Sequence, residues 1–156
     1  MITDAISISI EQLIKPFEGY ARRLPDGGCA AYPDPASGSD PWTIGYGSTG
    51  RNINEGTIWT HQQALDALNS EVAAITSNLL IISPSLISAP DRSVAALISF
   101  CYNLGLGNYR ISTLRERVND GDWTEAACEI LRWNKARGRV LAGLTRRRIA
   151  EAQFIE

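Results

Sequence analysis

The sequence has few cysteines, one histidine and no long apolar run, and each shortage excludes a class of protein. Its 156 residues include three cysteines without Cys-x-x-Cys spacing. An odd count in this pattern favours neither a disulfide framework nor a zinc knuckle, so we expect reduced thiols, no metal and no cofactor. No segment reaches the roughly eighteen consecutive apolar residues of a membrane-spanning helix. No basic leader followed by an apolar run opens the chain either, so we expect no signal peptide and no stable membrane insertion.

Charge is nearly balanced overall but unevenly distributed. The net charge is −2, yet residues 1–109 carry five basic and ten acidic side chains, whereas residues 110–156 carry ten and seven. Seven positive and no negative side chains lie between Leu131 and Arg148. Such a run is typical of proteins with an anionic partner, such as a nucleic acid, a phosphate-rich polymer or an acidic glycan, and equally typical of a solvated helix face.

The N-terminal region predicts a short helix followed by a small sheet. Apolar residues follow Ser9, a predicted helix cap, at the spacing of one helix face: Ile10, Leu13, Ile14 and Phe17. Gly19 predicts that this helix ends near Glu18. From residue 22 to 54, glycine and proline punctuate short β-prone pieces such as AAY and WTIGYG, which predicts two or three short antiparallel strands.

The sequence of the rest of the chain predicts helices. Thr60 and Gln63 form a predicted capping box for a long amphipathic helix, and Asp91, Ser112 and Asp122 are predicted caps of later ones. The predicted fold class is α+β and mainly helical, with a small N-terminal lobe that carries a short antiparallel sheet. That lobe spans about residues 1–59, a linking helix about 60–80 and an all-helical lobe about 81–156, within one domain.

Three polar residues of the N-terminal lobe have the types that cleavage of a glycosidic bond requires. The reaction needs a proton donor for the leaving oxygen and a second carboxylate on the opposite side. Glu18 follows an apolar helix face, where partial burial favours a carboxyl group that keeps its proton. Asp34 lies in a polar turn and should be ionised, and Thr43 can help it to hold a water molecule.

The residues and the order of several short motifs add a family resemblance. FEG, YPD and WTIGYG stand in this order within about thirty residues, and SFCYNLG, STLRERVNDGDWTEAACEILRWN and GLTRRRIAEAQF follow. Together they resemble the phage-type lysozymes, which are the endolysins of glycoside hydrolase family 24, over nearly the whole chain. The resemblance implies a lysozyme-like fold with Glu18 as general acid and with Asp34 and Thr43 positioning the attacking water.

By the same resemblance, the substrate is the β-1,4 bond between N-acetylmuramic acid and N-acetylglucosamine in bacterial peptidoglycan, hydrolysed with inversion. Tyr102 and Asn103 resemble the stretch that binds substrate from the helical lobe. The protein is then expected to be a monomer that collects in the host cytoplasm, depends on a separate holin-type protein that permeabilises the membrane, and lyses the cell. Delivery on a virion is the alternative route.

Two departures from the family pattern bear on the site. A longer connection before Asp34 introduces Asp26 as a rival, although LPDGG is typical of a simple turn and Asp34 fits the motif. Ser48 stands where many members have histidine. His61 is expected at the surface, without a metal partner.

The thiols carry expectations of their own. Cys101 and Cys128 stand at apolar helical positions and are expected to be buried, while Cys29, in a glycine loop, is expected to be exposed.

Two other functions compete with this hypothesis. A basic helical module that binds nucleic acid would explain the arginines but leaves WTIGYG without a role. A non-catalytic peptidoglycan-binding or phage structural protein would keep the fold and lack the activity, yet all three catalytic residue types are present. We therefore expect an enzyme that does not bind nucleic acid.

Overall fold

The computed structural model describes residues 2–35 and 37–156, which form two compact units. One unit comprises the described residues up to Ile14 together with Val72–Glu156, and the other comprises Lys15–Glu71. Both the N-terminal helix and the long helix in mid-chain contribute residues to each unit.

The N-terminal helix begins earlier than predicted. Helix α1 (Ile2–Ile8) continues through a π-helical segment (Ser9–Ile14) into α2 (Lys15–Glu18). Ser9 is fully buried inside this continuous helix, so the prediction that it caps the start is wrong. The reason is tertiary: residues before Ser9 pack on the central helix of their unit, and this burial extends the helix past its local start signal.

The end of this helix was predicted correctly. Gly19 takes the left-handed conformation at φ +70° and its N–H donates to the Lys15 carbonyl at 3.0 Å, so the helix ends at Glu18. The π-helical segment lies just before Pro16, whose ring would clash with the carbonyl four residues earlier in a regular α-helix. Wider i→i+5 turns relieve that clash.

The described residues form three two-stranded antiparallel pairs. They are β1 with β4 (Cys29–Ala30, Ile58–Trp59), β2 with β3 (Thr43–Ile44, Ser48–Thr49) and β5 with β6 (Lys135–Ala136, Arg139–Val140). The first two pairs confirm the predicted small antiparallel strands of the N-terminal lobe. The third is a hairpin that was not predicted, because its strands are only two residues long and each carries just one apolar residue beside a basic one.

The long helix α3 (His61–Ile82) begins at the predicted capping box. The Thr60 N–H donates to Gln63 Oε1 at 2.8 Å and the Gln63 N–H donates to Thr60 Oγ1 at 3.1 Å, so two N–H groups at the helix start are satisfied reciprocally. Its buried residues recur at helical spacing: Ala64, Leu68, Val72, Thr76 and Leu79.

By length and composition alone, α3 also reaches the minimum for crossing a membrane, with a mean hydropathy of 1.2. Its exposed side carries Asp66 and Glu71, and its buried side faces the protein. The pattern is therefore that of an amphipathic helix.

Helix α4 (Asp91–Leu104) lies at the centre of the helical unit, as predicted. Every residue from 93 to 101 is buried, and α1, the π-helical segment, α5 and α8 pack on it. The predicted cap at Asp91 is wrong by one position: Pro90 occupies the cap and Asp91 is the first helical residue. At that position its carboxylate still interacts favourably with the positive end of the helix dipole.

The remaining helices belong to the same unit as α4. They are a 3-10 helix (Pro84–Ser88), α5 (Leu106–Arg110), α6 (Thr113–Asp120), α7 (Trp123–Leu131) and α8 (Ala142–Ala152). Ser112 and Asp122 cap α6 and α7 through side-chain oxygens that accept N–H groups three residues later, which confirms both predictions.

Two of the three cysteine predictions are wrong. Cys101 is buried as expected, but Cys29 is fully buried on β1 and Cys128 is exposed on α7. The buried positions of α7 are Ala126 and Ile130, four residues apart, and Cys128 falls midway between them on the opposite face of the helix.

Candidate active site

The Glu18 carboxylate is half-buried in the unit formed by Lys15–Glu71 and lies against the turn between β2 and β3. Gly47, at φ +93°, belongs to this turn, and a Cβ atom added to it would lie 2.9 Å from Glu18 Oε2. The carboxylate therefore occupies space that the absence of a side chain at Gly47 leaves open.

Tyr32 connects the surroundings of Glu18 to the strand that carries Thr43. The Tyr32 and Thr43 backbones form a reciprocal pair of N–H···O hydrogen bonds, both 2.9 Å long. Directly opposed residues of an antiparallel pair project from the same face. Burial raises the pKa of the Tyr32 hydroxyl, and the negative charge of Glu18 adds to that rise, so Glu18 lies close enough to interact with this tyrosine.

Asp34 is half-buried and its backbone is held in a tight turn. Its carbonyl accepts the N–H groups of Ser37 and Gly38 at 3.2 and 2.8 Å, and its own N–H donates to the Ser39 carbonyl at 3.0 Å. Asp34 follows Tyr32, whose backbone pairs with that of Thr43, by two positions.

Asp26 occupies a different turn. Its Oδ1 accepts the Gly28 N–H at 2.9 Å, and the Gly27 N–H donates to the Leu24 carbonyl at 2.9 Å. The side chain thus stabilises its own turn, in line with the structural role expected of LPDGG.

Ser48 and His61 both brace the segment that surrounds Gly47. Ser48 is buried and its hydroxyl donates to Glu71 Oε2 at 3.4 Å. His61 is exposed, as predicted, and its Nε2 lies 3.2 Å from the Tyr46 hydroxyl, while the Tyr20 ring packs 5.1 Å from Tyr46 and 5.3 Å from His61. These contacts hold Tyr46 against the start of α3 and Ser48 against its middle.

An open groove of about 650 Å³ lies beside the strand pair β2–β3. Its lining combines an aromatic ring, a guanidinium group and an amide from Trp42, Arg51 and Asn54, together with Thr49 of β3. Sugar-binding surfaces use this combination, because a ring face packs on apolar C–H groups while polar side chains bind hydroxyls.

Tyr102 and Asn103 are half-buried near the end of α4 in the other unit. The Asn103 Oδ1 accepts a hydrogen bond from Arg148 Nη2 at 2.9 Å. Because a guanidinium group has only donors, this contact fixes which end of the amide faces Arg148 and leaves Nδ2 as the end with hydrogens to donate elsewhere.

Arg148 belongs to a buried ionic cluster that also contains Glu151, Arg147 and Ser99. Glu151 is fully buried and lies 2.8 Å from Arg148 Nε, 3.2 Å from Arg147 Nε and 2.6 Å from the Ser99 hydroxyl. Burial raises the pKa of the Glu151 carboxyl, and Arg148, the Ser99 hydroxyl and Arg147 oppose that rise. This cluster joins α8 to α4 beneath Asn103.

Comparison of the sequence with known protein families identifies the family of this chain. Residues 23–151 match the family described as Phage lysozyme. The chain belongs to the phage lysozyme family. This result confirms the resemblance found in the motifs.

Named relatives of this phage lysozyme family member include two endolysins. The endolysin of Acyrthosiphon pisum secondary endosymbiont phage 1 is 33% identical over 148 residues, which is 92% of each chain. The endolysin of Bacillus phage PZA is 40% identical over 111 residues, covering 70% of this chain. The matched part is 42% of that endolysin, so this chain corresponds to less than half of it.

Solved structures agree with this assignment. The endolysin from Escherichia coli O157:H7 phage FAHEc1 superposes with a TM-score of 0.76 at 26% identity, covering 97% of this chain and 90% of that one. The muramidase domain of SpmX from Asticaccaulis excentricus gives a TM-score of 0.70 at 30% identity, over 97% and 93% of the two chains. The predicted fold class is confirmed.

In this phage lysozyme family member, the predicted site residues fall in two groups. Glu18, Asp34 and Thr43 lie in one unit, and Tyr102 and Asn103 lie in the other. Glu18 precedes the residues matched to the family, whereas the other four lie within them.

Sequence reasoning missed two features of the site. The spacing of Gly45 and Gly47 in WTIGYG was a signal for a tight turn, but it did not show that a carboxylate would lie against the second glycine. The ionic cluster was missed because Arg147 and Arg148 were counted with a solvated basic run. Glu151, three and four residues further along the helix, was the available signal.

Proposed function

We propose that this protein is an endolysin that hydrolyses the β-1,4 bond between N-acetylmuramic acid and N-acetylglucosamine in bacterial peptidoglycan. Membership of the phage lysozyme family supports the reaction class, and the solved muramidase domain supports the substrate class. The observation that carries the proposal is the position of the Glu18 carboxylate, held against Gly47 and close to Tyr32, whose backbone pairs with that of Thr43.

Glu18 is the proposed general acid. A leaving sugar oxygen needs a proton as the glycosidic bond breaks, and a carboxyl group held in a half-buried position can deliver it. The surrounding contacts support this role, because Gly47 and the paired strands restrict where the carboxyl group can lie.

Asp34 and Thr43 are the proposed pair that positions the attacking water. A carboxylate accepts a proton from the water, and a hydroxyl group can both donate to it and accept from it. In an inverting enzyme, a water held between the substrate and the base attacks from the face opposite the leaving group. The product therefore has the opposite anomeric configuration to the bond that is cleaved. The reciprocal hydrogen bonds of Thr43 with Tyr32 give this pair a fixed backbone.

Tyr102 and Asn103 are the proposed substrate-binding residues of the helical unit. Arg148 holds the Asn103 carbonyl oxygen, so the amide offers N–H donors to a ligand. Donors suit the acetamido carbonyl of either sugar, and the Tyr102 ring suits the apolar face of a pyranose.

A turnover assay tests both the activity and its stereochemistry. Purified peptidoglycan is digested, new reducing ends are counted, and the anomer released first is identified by proton NMR. We expect reducing N-acetylmuramic acid that appears first as the α anomer. A lack of new reducing ends would reject the activity, and a β anomer would reject inversion.

The proposed route to the wall begins in the host cytoplasm, with the protein a monomer that depends on a holin-type protein. Expression of the chain by itself should leave host cells intact, and permeabilising their membrane should then cause rapid lysis. Lysis without permeabilisation would contradict the dependence on a separate protein.

A further inference from the structure

The structure divides the basic run of residues 132–148 into buried and exposed charges. Arg147 and Arg148 are buried and pair with Glu151, so they are not available to a partner. The exposed charges of the run are on Arg132, Lys135, Arg137, Arg139 and Arg146. Arg132 lies 3.0 Å from Glu129, which leaves the hairpin as the main concentration of exposed positive charge in the run.

The hairpin β5–β6 presents its charges on both faces. Lys135 pairs with Val140 and Ala136 pairs with Arg139, and opposed residues share a face, so Lys135 and Arg139 project to opposite sides. Every residue from 135 to 141 is exposed. Within the described part of the chain, no ion pair engages Lys135, Arg137 or Arg139.

The tip of the hairpin places a cation in a costly conformation. Arg137 and Gly138 both have positive φ, +50° and +75°, as the central residues of a tight hairpin turn require. Asparagine or glycine satisfies this requirement at Arg137 with less strain. A residue held in such a conformation at an exposed tip indicates a use for its side chain.

Apolar side chains accompany these charges. Val140 and Leu141 are 59% and 45% exposed at the end of the hairpin, and Leu131, before the hairpin, is 41% exposed. A soluble polyanion needs only cations, whereas a lipid surface binds cations at its headgroups and apolar side chains just below them. The combination therefore favours a membrane over a nucleic acid.

We propose that the hairpin Lys135–Val140, together with Leu141, is a peripheral binding site for bilayers rich in anionic phospholipid. With the hairpin lying edge-on to the bilayer, Arg137 at the tip and the long side chains of Lys135 and Arg139, one on each face, reach the phosphate groups, and Val140 and Leu141 enter the interface. Such binding concentrates the protein at the membrane surface without inserting a helix across it. The proposal is independent of the catalytic assignment, because it involves none of the proposed catalytic residues.

Co-sedimentation with vesicles tests the proposal. The full chain is mixed with vesicles of phosphatidylcholine alone and with vesicles of phosphatidylcholine and phosphatidylglycerol in equal parts. We expect binding to the second kind that weakens as salt is added, since salt screens exposed charges. The triple variant Lys135→Gln, Arg137→Gln, Arg139→Gln should bind about a hundredfold more weakly, at roughly fivefold for each charge.

A matched control removes the same net charge elsewhere. Arg22, Arg51 and Arg110 are exposed and lie outside the hairpin, so their triple replacement by Gln should leave vesicle binding close to that of the wild type. Should the hairpin triple variant melt early, Arg139→Gln alone preserves the turn and is expected to lose about fivefold.

Other results would overturn the proposal. Equal binding to both kinds of vesicle, or equal weakening in both triple variants, would show that the hairpin is not a specific site. The variant Val140→Ser, Leu141→Ser should weaken vesicle binding. If it does not, and if duplex DNA binds with the same dependence on the three cations, the partner is a soluble polyanion and the membrane assignment is wrong.

Discussion

Gly47 and Glu18 occupy neighbouring space so closely that no side chain fits at position 47. A Cβ there would approach Glu18 Oε2 to 2.9 Å, and the backbone at Gly47 is in the left-handed region at φ +93°. Real Cβ atoms do not make contacts of this length with a neighbouring oxygen, so a side chain at position 47 displaces the carboxylate. The relationship links a turn residue to the proposed acid.

Gly47→Ala should lower activity more than its backbone strain alone predicts. Gly56→Ala is the matched control, because Gly56 has a similar φ of +83° with nothing within 4 Å of an added Cβ. Both variants should lose about 1–2 kcal/mol of unfolding free energy from strain. The Gly47 variant alone should also lose peptidoglycan hydrolysis, as measured by the release of reducing ends. Equal activity in the two variants would mean that the carboxylate position is unimportant.

Glu18→Gln should remain folded and lose at least about a hundredfold in hydrolysis rate, because the amide cannot donate a proton to the leaving oxygen. Glu55→Gln, an exposed carboxylate of the same unit, should keep the wild-type rate. Rates and melting temperatures are measured for both variants. Activity of Glu18→Gln near that of the wild type would reject the general acid assignment.

Asp34→Asn and Asp26→Asn distinguish the proposed catalytic aspartate from its rival. Asp34→Asn should lose hydrolysis with little change in stability, because its turn is held by backbone hydrogen bonds. Asp26→Asn should keep activity, because the amide oxygen can still accept the Gly28 N–H. The reverse pattern in the rate assay would transfer the catalytic role to Asp26.

Glu151→Gln should destabilise the helical unit by about 3–5 kcal/mol, because it leaves two buried guanidinium groups without a counter-charge. Glu156→Gln is the surface counterpart. Its side chain is 57% exposed and that of its partner Arg92 is 44% exposed, so that variant should lose at most about 1 kcal/mol. Urea unfolding measures both changes. Similar losses would show that burial does not set the strength of the cluster.

Tyr109 should make the protein sensitive to alkali. Burial raises the pKa of its hydroxyl above the ordinary value of 10.0, partly offset by the Ser83 hydroxyl 2.8 Å away. Below pH 10.0 both folded and unfolded states hold the proton. Above it the unfolded state releases the proton first, so stability falls as pH rises.

Tyr109→Phe removes this proton and should reduce the alkaline loss by about 1.4 kcal/mol for each pH unit above 10. Urea unfolding curves of the two proteins at several alkaline pH values measure the difference. Parallel decreases in both proteins would assign the alkaline sensitivity to other groups, such as the buried Cys101 thiol, whose pKa burial also raises.

The helical parts of the fold were predictable because their signals are local. Capping at Thr60, Ser112 and Asp122 depends on residues three positions apart, and the structure forms all three caps. The start of the first helix was not predictable in this way. Burial against α4 overrides the local cap at Ser9, and burial depends on residues distant in sequence.

The candidate site was predictable in residue type but not in arrangement. Motifs identified Glu18, Asp34 and Thr43, yet the contact of Glu18 with Gly47 follows from tertiary packing. The basic run shows the same limit, because the direction in which each arginine points depends on its face of α8 or of the hairpin. Arg146 is exposed whereas the next residue, Arg147, is buried, and in the sequence only the spacing of each to Glu151 separates them.

Because the three thiols are unequally buried, their chemical labelling can be used to follow the opening of the structure. In the native state a maleimide dye should couple at Cys128, while Cys29 and Cys101 stay shielded until the polypeptide opens. The rates at which Cys29 and Cys101 become labelled would therefore measure how fast the structure opens around each of them, with no engineered change to the chain.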